Sequence, residues 1–226
     1  MILKSEQILA LLRQEDPTAK ADPLVIVPAP EEEELAKKGA ASVDLRLGTW
    51  FVSLRQSRMS CLDMSGRRSE KSERQERPHS HPHLSKTHYV PFGGAYYLHP
   101  GNFVLGTTLE WLRLPINLFG QVIGKSSLGR RGLVIATAIG VHPGFTGCLT
   151  LELSNVGEIP LAIIPGMLVC QLCLHQVDQL GQSDFVDCSQ FVGSHKPRLG
   201  LYQLDEQAQA LADEGGRPVG RSDGRY

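Results

Sequence analysis

The sequence predicts a mainly β fold, with the strands arranged as a sandwich or a distorted barrel. From residue 41 onward, short runs of β-branched, aromatic and aliphatic residues follow one another, separated by Gly and Pro. No part of the chain alternates strand, long helix and strand, so a parallel sheet covered by helices is not expected. The 226 residues are 41% hydrophobic, which is enough material for one core.

One short amphipathic helix is predicted near the N-terminus, over residues 5–13. Its apolar side chains are Ile8, Leu9, Leu11 and Leu12. Ser5 is a candidate N-cap, because its hydroxyl can accept a hydrogen bond from a free backbone N–H of the first turn. The charged stretch over residues 31–38 is compatible with a second helical turn or with a solvated loop.

Strands are predicted where apolar and polar residues alternate, or where short apolar runs lie between turn residues. Residues 42–48 alternate in this way. Residues 50–54 continue the pattern, and residues 96–101 end in a Pro-Gly turn signal. Further strands are predicted over residues 103–110, 120–123, 133–137, 148–154, 161–164 and 167–173.

Residues 65–88 interrupt this pattern with Arg, Glu, Ser, His and Pro and almost no apolar side chains. Such a composition cannot bury enough apolar surface to offset the entropy lost on ordering, so we predict a mobile insertion. We assign residues 1–203 to one β-barrel domain that carries this insertion. Residues 204–226 become rich in Gly and Arg, and we expect a partly disordered tail there.

Composition and charge exclude several classes of function. The formal net charge is −1, so no overall field attracts a nucleic acid polymer. No apolar run is long enough to cross a bilayer, and the first residues lack the pattern of a signal peptide. Five cysteines at irregular spacing argue against a disulfide framework. We therefore expect a cytoplasmic protein without a membrane partner.

Hydroxyl and cationic side chains cluster between glycines in residues 124–133. The cluster consists of Lys125, Ser126, Ser127, Arg130 and Arg131. Hydroxyls and backbone N–H groups suit phosphate oxygens, and a guanidinium can bind two oxygens at once. On composition alone, however, a polar turn that leads into a strand is the simpler interpretation.

Glu152 lies in the middle of a segment whose side chains alternate strictly. Leucines at positions 149, 151 and 153 share one face of the predicted strand. The opposite face carries Glu152 between small residues, namely Cys148, Thr150 and Ser154. A carboxylate in this setting can line a pocket and suits a proton shuttle. Without further information, an ordinary solvent-facing Glu is the simpler interpretation.

Two possible metal motifs are set aside, so no metal site is predicted. Cys170 and Cys173 lie in a predicted strand, where residues three apart point to opposite faces. The zinc-deaminase signature, His-x-Glu followed by Pro-Cys-x-x-Cys, is absent. The histidines of the 65–88 insertion are more simply explained as part of a solvated loop. Gln171 is a large polar residue in an apolar strand, so it needs hydrogen-bond partners.

Taken together, these segments resemble the dCTP deaminase family, a branch of the trimeric dUTPase superfamily. The matching pieces keep their order from near the N-terminus to about Gly200, and this shared order and spacing is more specific than any one of them. They are Ser42–Gly48, Tyr97–Gly101, Thr108–Glu110, Lys125–Arg130, Thr137–Gly147, Leu151–Asn155 with Gly157, and Pro160–Met167.

The resemblance implies a homotrimer of distorted jelly-roll or β-barrel subunits of the dUTPase-like type, with active sites between subunits. It also implies hydrolytic deamination of dCTP to dUTP and ammonia without zinc, with Mg²⁺ bound through the substrate triphosphate. Glu152 matches the family's catalytic glutamate, which takes a proton from the water that attacks C4 of the pyrimidine. Ser126 and Arg130 match residues that frame the site around the water and the phosphates.

The resemblance assigns further residues to substrate binding. Ser127 matches the serine of the phosphate-binding turn. Thr137 and Ala138 match the segment whose backbone meets the edge of the base. The remaining expected substrate contacts are Lys125, Val141, His142, Gln171, Lys196 and Arg198.

The chain departs from the family in the hairpin after residue 137. Gly140 stands where the family commonly has an Arg, and His142 stands where it has an Asp that helps to hold the sugar. Because that Asp activates the hydrolytic water in dUTPases, its replacement argues against dUTPase activity and leaves base and sugar specificity open. Two alternatives remain: a nucleoside triphosphate pyrophosphatase of the same fold, and a nucleotide-binding regulatory module without turnover.

Overall fold

A computed structural model of the protein describes residues 1–15, 20–36, 41–55, 84–177 and 193–200. Strands dominate these residues and a short helix lies at the N-terminus, so the predicted mainly β class is confirmed. The helices are α1 (Ser5–Leu12), α2 (Glu32–Leu35) and α3 (Ser126–Gly129). The strands are β1 (Val25–Val27), β2 (Val43–Arg46), β3 (Trp50–Leu54), β4 (Ser85–Tyr89), β5 (Tyr96–Leu98), β6 (Phe103–Arg113), β7 (Leu118–Gly124), β8 (Leu133–Ile135), β9 (Gly140–Val141), β10 (Thr146–Asn155), β11 (Leu161–Ile163) and β12 (Leu168–Gln176).

Strands β6 and β10 form the centre of the largest sheet in the described part of the chain. Its order is β4-β3-β6-β10-β8, and β1 pairs with β6. A second sheet has the order β2-β12-β7-β9, and β11 pairs with β5. Side chains of both larger sheets meet in one core, in which Phe51, Leu151, Leu153, Leu172 and Leu174 are fully buried.

Helix α1 begins at the predicted place, but the prediction of Ser5 as its N-cap is wrong. Lys4 precedes the helix with extended backbone angles (φ −81°, ψ 161°). Its N–H donates to Gln7 Oε1 at 2.9 Å, so a side chain from within the first turn reaches back to the cap. Ser5 itself is buried. The charged stretch after residue 30 contains one helical turn, α2, whose Leu35 is buried.

Strand β4 corrects the predicted boundaries of the insertion. Residues 65–88 were expected to be mobile, but residues 85–88 belong to a strand antiparallel to β3, with His88 opposite Phe51. Because β4 lies at the edge of its sheet, it carries exposed polar side chains such as Lys86 and Thr87. These residues show no apolar pattern, so the sequence does not predict a strand there. Residues 65–83 and the predicted tail over 204–226 lie outside the described residues.

The strict alternation predicted for β10 holds over residues 150–155 but does not extend to Cys148. Cys148 and Leu149 are both buried, at 8% and 6% exposure. The pairing register between β10 and β6 shifts at this point. Thr108 fills the irregularity, because its Oγ1 accepts a hydrogen bond from Leu149 N at 2.9 Å. This bulge lets the beginning of β10 turn into the core while Glu152 stays on the opposite face.

A buried carboxylate, Glu110, ties β6 to β2. Its Oε2 accepts a hydrogen bond from Arg46 N at 2.8 Å, and Arg46 Nη1 lies 3.4 Å from Oε1. Burial raises the pKa of Glu110 more than these hydrogen bonds lower it. Burial, followed by the charge of Glu110, also raises the pKa of the Cys148 thiol to about 11 and of the Cys170 thiol to about 12. Both thiols are therefore protonated at neutral pH.

Candidate active site

Glu152 is held rigidly at the middle of β10. It lies opposite Leu105 of β6, and its N–H donates to Thr137 Oγ1 at 3.0 Å on the other side. Its carbonyl accepts a hydrogen bond from Ala136 N at 2.8 Å. The predicted contact segment at Thr137 therefore lies directly beside the predicted catalytic residue. Because Thr137 and Ala136 are both hydrogen-bonded to the backbone of Glu152, the position of its Cα, from which the side chain extends, is fixed.

The carboxylate of Glu152 is only partly bonded. Its Oε2 atom is shielded from solvent and has no hydrogen-bond partner among the described residues. Leu105 and Val52 continue the same row across the sheet and are nearly buried, at 5% and 7% exposure. Buried carboxylate oxygens almost always accept hydrogen bonds, so Oε2 marks a position where a donor is missing.

The predicted phosphate-binding turn is the single helical turn α3, which joins β7 to β8. Ser126, Ser127 and Arg130 are all exposed on it. Arg131 Nη1 donates to Ser127 O at 2.7 Å, whereas no described residue accepts a hydrogen bond from the Arg130 guanidinium. Within the described chain, Arg130 is therefore the cation of this turn that is best placed to bind a ligand.

Lys125 and Gln171, two predicted substrate contacts, converge on a carboxylate that the sequence did not single out. Asp44 Oδ2 accepts a hydrogen bond from Lys125 Nζ at 2.8 Å, and Asp44 Oδ1 accepts one from Gln171 Nε2 at 3.0 Å. This contact supplies the partner that Gln171 was expected to need. The available signal was an acidic residue at an alternating position in the segment 42–48, and only the sheet register shows what it faces.

The remaining predicted contacts in the hairpin after β8 differ in their exposure to solvent. Ala138 and His142 are exposed, whereas Val141 is 5% exposed and belongs to the core. The Val141 side chain therefore packs in the core of the chain, and a substrate contact at this position would use its backbone. At Gly140, an added Cβ would lie 3.0 Å from Phe119 Cζ. The Phe119 ring thus occupies the space that a larger residue at position 140 would need.

The segment over residues 193–200 runs along the beginning of β10. Gly193 N donates to Thr146 O at 2.6 Å. Lys196 Nζ lies 3.9 Å from the centroid of the Trp50 ring, which is a cation–π contact, while Arg198 is exposed. Of these two predicted phosphate contacts, Lys196 is thus held by an aromatic ring that sequence reasoning did not identify.

Gly132 and Gly157 lie close together beside the end of β10 that follows Glu152. Asn155 is fully buried and bonds on all sides, because its Nδ2 donates to Leu98 O and Ile159 O and its Oδ1 accepts from Gly157 N. Gly132 follows α3 with a φ of +90°, and its carbonyl accepts a hydrogen bond from Val156 N at 2.9 Å. The end of β10 and the loop after α3 are thereby locked together.

Replacing Gly132 by Ala is expected to destabilise the protein by about 2 kcal/mol, as measured by urea unfolding. An L-residue is strained at this φ, and the added Cβ would meet Gly157 N at 2.9 Å. The matched control is Gly129→Ala, three residues earlier at the end of α3, where no neighbouring heavy atom lies within 4 Å. Equal stability of the two variants would contradict this account of the contact between Gly132 and Gly157.

Within one chain, the predicted catalytic residues do not form one bonded cluster. No hydrogen bond among the described residues joins the carboxylate of Glu152 to Ser126 or Arg130. Two cavities in the described part of the structure lie elsewhere. One of about 540 Å³ lies between α1 and Asn117, and one of about 340 Å³ lies beside Tyr96. Neither cavity is lined by a predicted site residue.

Two further features are absent from the described ranges. No group of three or more His, Cys, Asp and Glu side chains converges there as metal ligands would. None of the helices in these ranges combines the length and apolar character needed to cross a membrane.

Comparison with known proteins gives consistent matches. Residues 2–177 match a family model described as dCTP deaminase-like. A dCTP deaminase from Halorubrum lacusprofundi is 40% identical over 173 residues, which cover 76% of this chain and 75% of that protein. A protein from Dictyoglomus thermophilum named dCTP deaminase, dUMP-forming, is 38% identical over 146 residues, covering 64% of this chain and 69% of the relative.

Among solved structures, a 2′-deoxycytidine 5′-triphosphate deaminase from Agrobacterium tumefaciens matches with a TM-score of 0.52 at 22% sequence identity. The match covers 76% of this chain and 46% of that one, so the chain spans less than half the length of this solved relative. At this identity the likeness shows the fold, and it confirms the distorted β-barrel class that the sequence predicts.

Proposed function

Because the chain belongs to the dCTP deaminase-like family, we propose that it deaminates dCTP to dUTP and ammonia by hydrolysis. The names and identities of its relatives support this substrate. The observation that carries the proposal is the carboxylate of Glu152, which has a fixed backbone and a shielded, unbonded oxygen. A base held in this way can take a proton from a water molecule that a bound substrate positions beside it.

In the proposed reaction, Glu152 accepts a proton from water as the water oxygen bonds to C4 of the cytosine ring. Both protons of the water are used: N3 takes up one as the C4=N3 double bond becomes single, and the amino group takes up the other. The C4–N bond to the amino group then breaks, ammonia leaves, and the former water oxygen becomes the carbonyl oxygen of uracil. Arg130 and Ser126 orient the water and the carboxylate. The carboxylate thereby does the work that a zinc ion does in other nucleobase deaminases.

Substrate binding is assigned to the exposed groups around this centre. Ser127 and the backbone of α3 bind the triphosphate, and Mg²⁺ enters as the counter-ion of the substrate. Thr137 and Ala138 present their backbone to the edge of the base. Lys196 and Arg198 are positioned on the segment that runs along β10, from which they can approach the phosphates.

We propose further that the protein is a homotrimer whose active sites form between subunits. Glu152 lacks a donor and Arg130 lacks an acceptor within the described part of one chain, and a neighbouring subunit would supply each with the other. Apolar side chains around these elements support an interface, because Ile123, Val134 and Ile139 are 43%, 38% and 60% exposed.

A product assay across the common nucleoside triphosphates tests the proposed reaction. With Mg²⁺ and dCTP, we expect ammonia and dUTP in equal amounts and no pyrophosphate. No pyrophosphate is expected because His142 stands where dUTPases have an Asp. A water that attacked the phosphate would therefore lack its usual base. Tight binding of dCTP without ammonia release would instead identify a regulatory module.

A second product remains a specific candidate, because one relative is named as dUMP-forming. A chain of this type would release one pyrophosphate for each ammonia. Pyrophosphate formed from added dUTP as well would identify a pyrophosphatase that also acts without deamination. The same assay therefore separates the three activities.

A further inference from the structure

We propose that Asp44 is a positioning residue that sets the location of the phosphate-binding turn by holding Lys125. The inference rests on the proposed function, because it concerns the same turn and substrate. Asp44 lies on β2, away from α3 in sequence, and was not among the residues assigned from the sequence. Its carboxylate bonds to two side chains from two further strands or their ends, Lys125 and Gln171.

Helix α3 cannot hold its own position. It has four residues, and its N-cap residue Lys125 makes no side-chain capping bond. An isolated turn of this length is unstable in water, so contacts with the rest of the fold must fix it. Two of its hydrogen bonds, from Leu128 N and Gly129 N, end on Lys125 O at 3.0 and 3.2 Å, and a third runs from Arg130 N to Ser126 O at 3.0 Å. Lys125 is therefore the residue through which the start of the turn is joined to the rest of the fold.

Lys125 is anchored at both of its ends. Its backbone N–H donates to Val169 O at 3.1 Å, and its ammonium donates to Asp44 at 2.8 Å. The two charged side chains are 21% and 30% exposed, so solvent screens this pair less than a pair on the open surface. Gln171 Nε2 bonds to the other oxygen of Asp44 and restrains the carboxylate.

This arrangement changes the role of Lys125. An ammonium already neutralised by Asp44 contributes less to phosphate binding than a free cation does. The Asp44–Lys125 pair instead places Ser126, Ser127 and Arg130 at the mouth of the site. Gln171, which was expected to bind substrate, then acts on Asp44.

The test is a double-mutant cycle on kcat/KM for dCTP with Asp44→Asn and Lys125→Met. Each single variant is expected to lose roughly tenfold, which is the size of one charge-assisted hydrogen bond. The double variant should be no worse than Lys125→Met alone, because Asp44 acts through Lys125. Asp44→Glu should restore activity to within about threefold of wild type, since it keeps the charge. A further loss in the double variant would overturn the proposal.

The control is Asp22→Asn. Asp22 is 31% exposed and also accepts two hydrogen bonds, from Arg113 Nη2 at 3.1 Å and Ile116 N at 2.8 Å. It resembles Asp44 in burial and bonding but holds no part of α3. We expect Asp22→Asn to keep wild-type kcat/KM even where it lowers stability. An equal loss in both variants would show that any lost ion pair impairs the enzyme, and the positioning role would be rejected.

A second measurement does not depend on turnover. Amide hydrogen exchange of residues 124–132 in the full-length protein without substrate should become roughly tenfold faster in Asp44→Asn and stay unchanged in Asp22→Asn. Unchanged exchange in Asp44→Asn would overturn the anchor even if the protein is a deaminase. Faster exchange in a protein that releases no ammonia would support the anchor and reject the proposed reaction instead.

Discussion

Replacing Glu152 by Gln is expected to lower the rate of ammonia release from dCTP by about a thousandfold. Gln keeps the shape of the side chain but cannot accept a proton from the attacking water. The backbone bonds of Glu152 to Thr137 and Ala136 do not involve the carboxylate, so the fold should survive the change. The rate is measured as ammonia formed per active site at saturating dCTP with Mg²⁺.

The matched control for this experiment is Glu158→Gln. Glu158 is exposed and lies in the turn that follows β10, so the substitution removes the same charge close by in sequence. It should leave the rate of ammonia release unchanged. A Glu152→Gln protein that keeps more than about a tenth of wild-type activity would remove Glu152 from the chemical step.

Replacing Glu110 by Ala is expected to lower the free energy of unfolding by about 3 kcal/mol. The change leaves Arg46 N without its acceptor at 2.8 Å and opens a cavity where a side chain is now 2% exposed. Arg46 is 26% exposed, so its guanidinium can recover some hydration. Urea unfolding at neutral pH measures the loss.

Glu110→Gln separates the charge of this residue from its shape. Because burial raises the pKa of Glu110, its surroundings favour the uncharged carboxyl, and a neutral amide of the same size should cost about 1 kcal/mol or less. The raised pKa also determines the direction in which the free energy of unfolding changes with pH. The stabilising contribution of the protonated form is present below the unfolded pKa and is lost as pH rises through the folded pKa. Wild type should therefore lose stability relative to Glu110→Gln over that range.

The fold could be predicted where the pattern of side chains was strong. Strand β10 was predicted from its alternating side chains, of which one set meets the core, whereas β6 was predicted as a short run between turn residues and is buried continuously over residues 104–108. Strand β4 was not predicted because an edge strand can fold without an apolar face. Strand β1 was not predicted because its three residues are too few to show an alternation of apolar and polar side chains. The bulge at Thr108 depends on pairing between distant strands, which the sequence does not display.

The candidate site could be predicted in part from its motifs. Glu152 and the Ser126–Arg130 turn were identified through their order and spacing, and the structure adds the unbonded oxygen of Glu152. The partners of Lys125 and Lys196 could not be predicted. The fold brings Asp44 to Lys125 and Trp50 to Lys196 from distant parts of the chain, so no local sequence pattern shows these contacts.

Glu152 of one subunit is proposed to work with Arg130 of another, and mixing two inactive variants tests this pairing most directly. Glu152→Gln and Arg130→Ala should each be nearly inactive alone. Unfolded together in equal amounts and refolded, they should regain about a quarter of the wild-type activity, because random assembly pairs an intact Glu152 with an intact Arg130 at that fraction of sites. A mixture that shows only the summed activity of its two parents would contradict an active site shared between subunits.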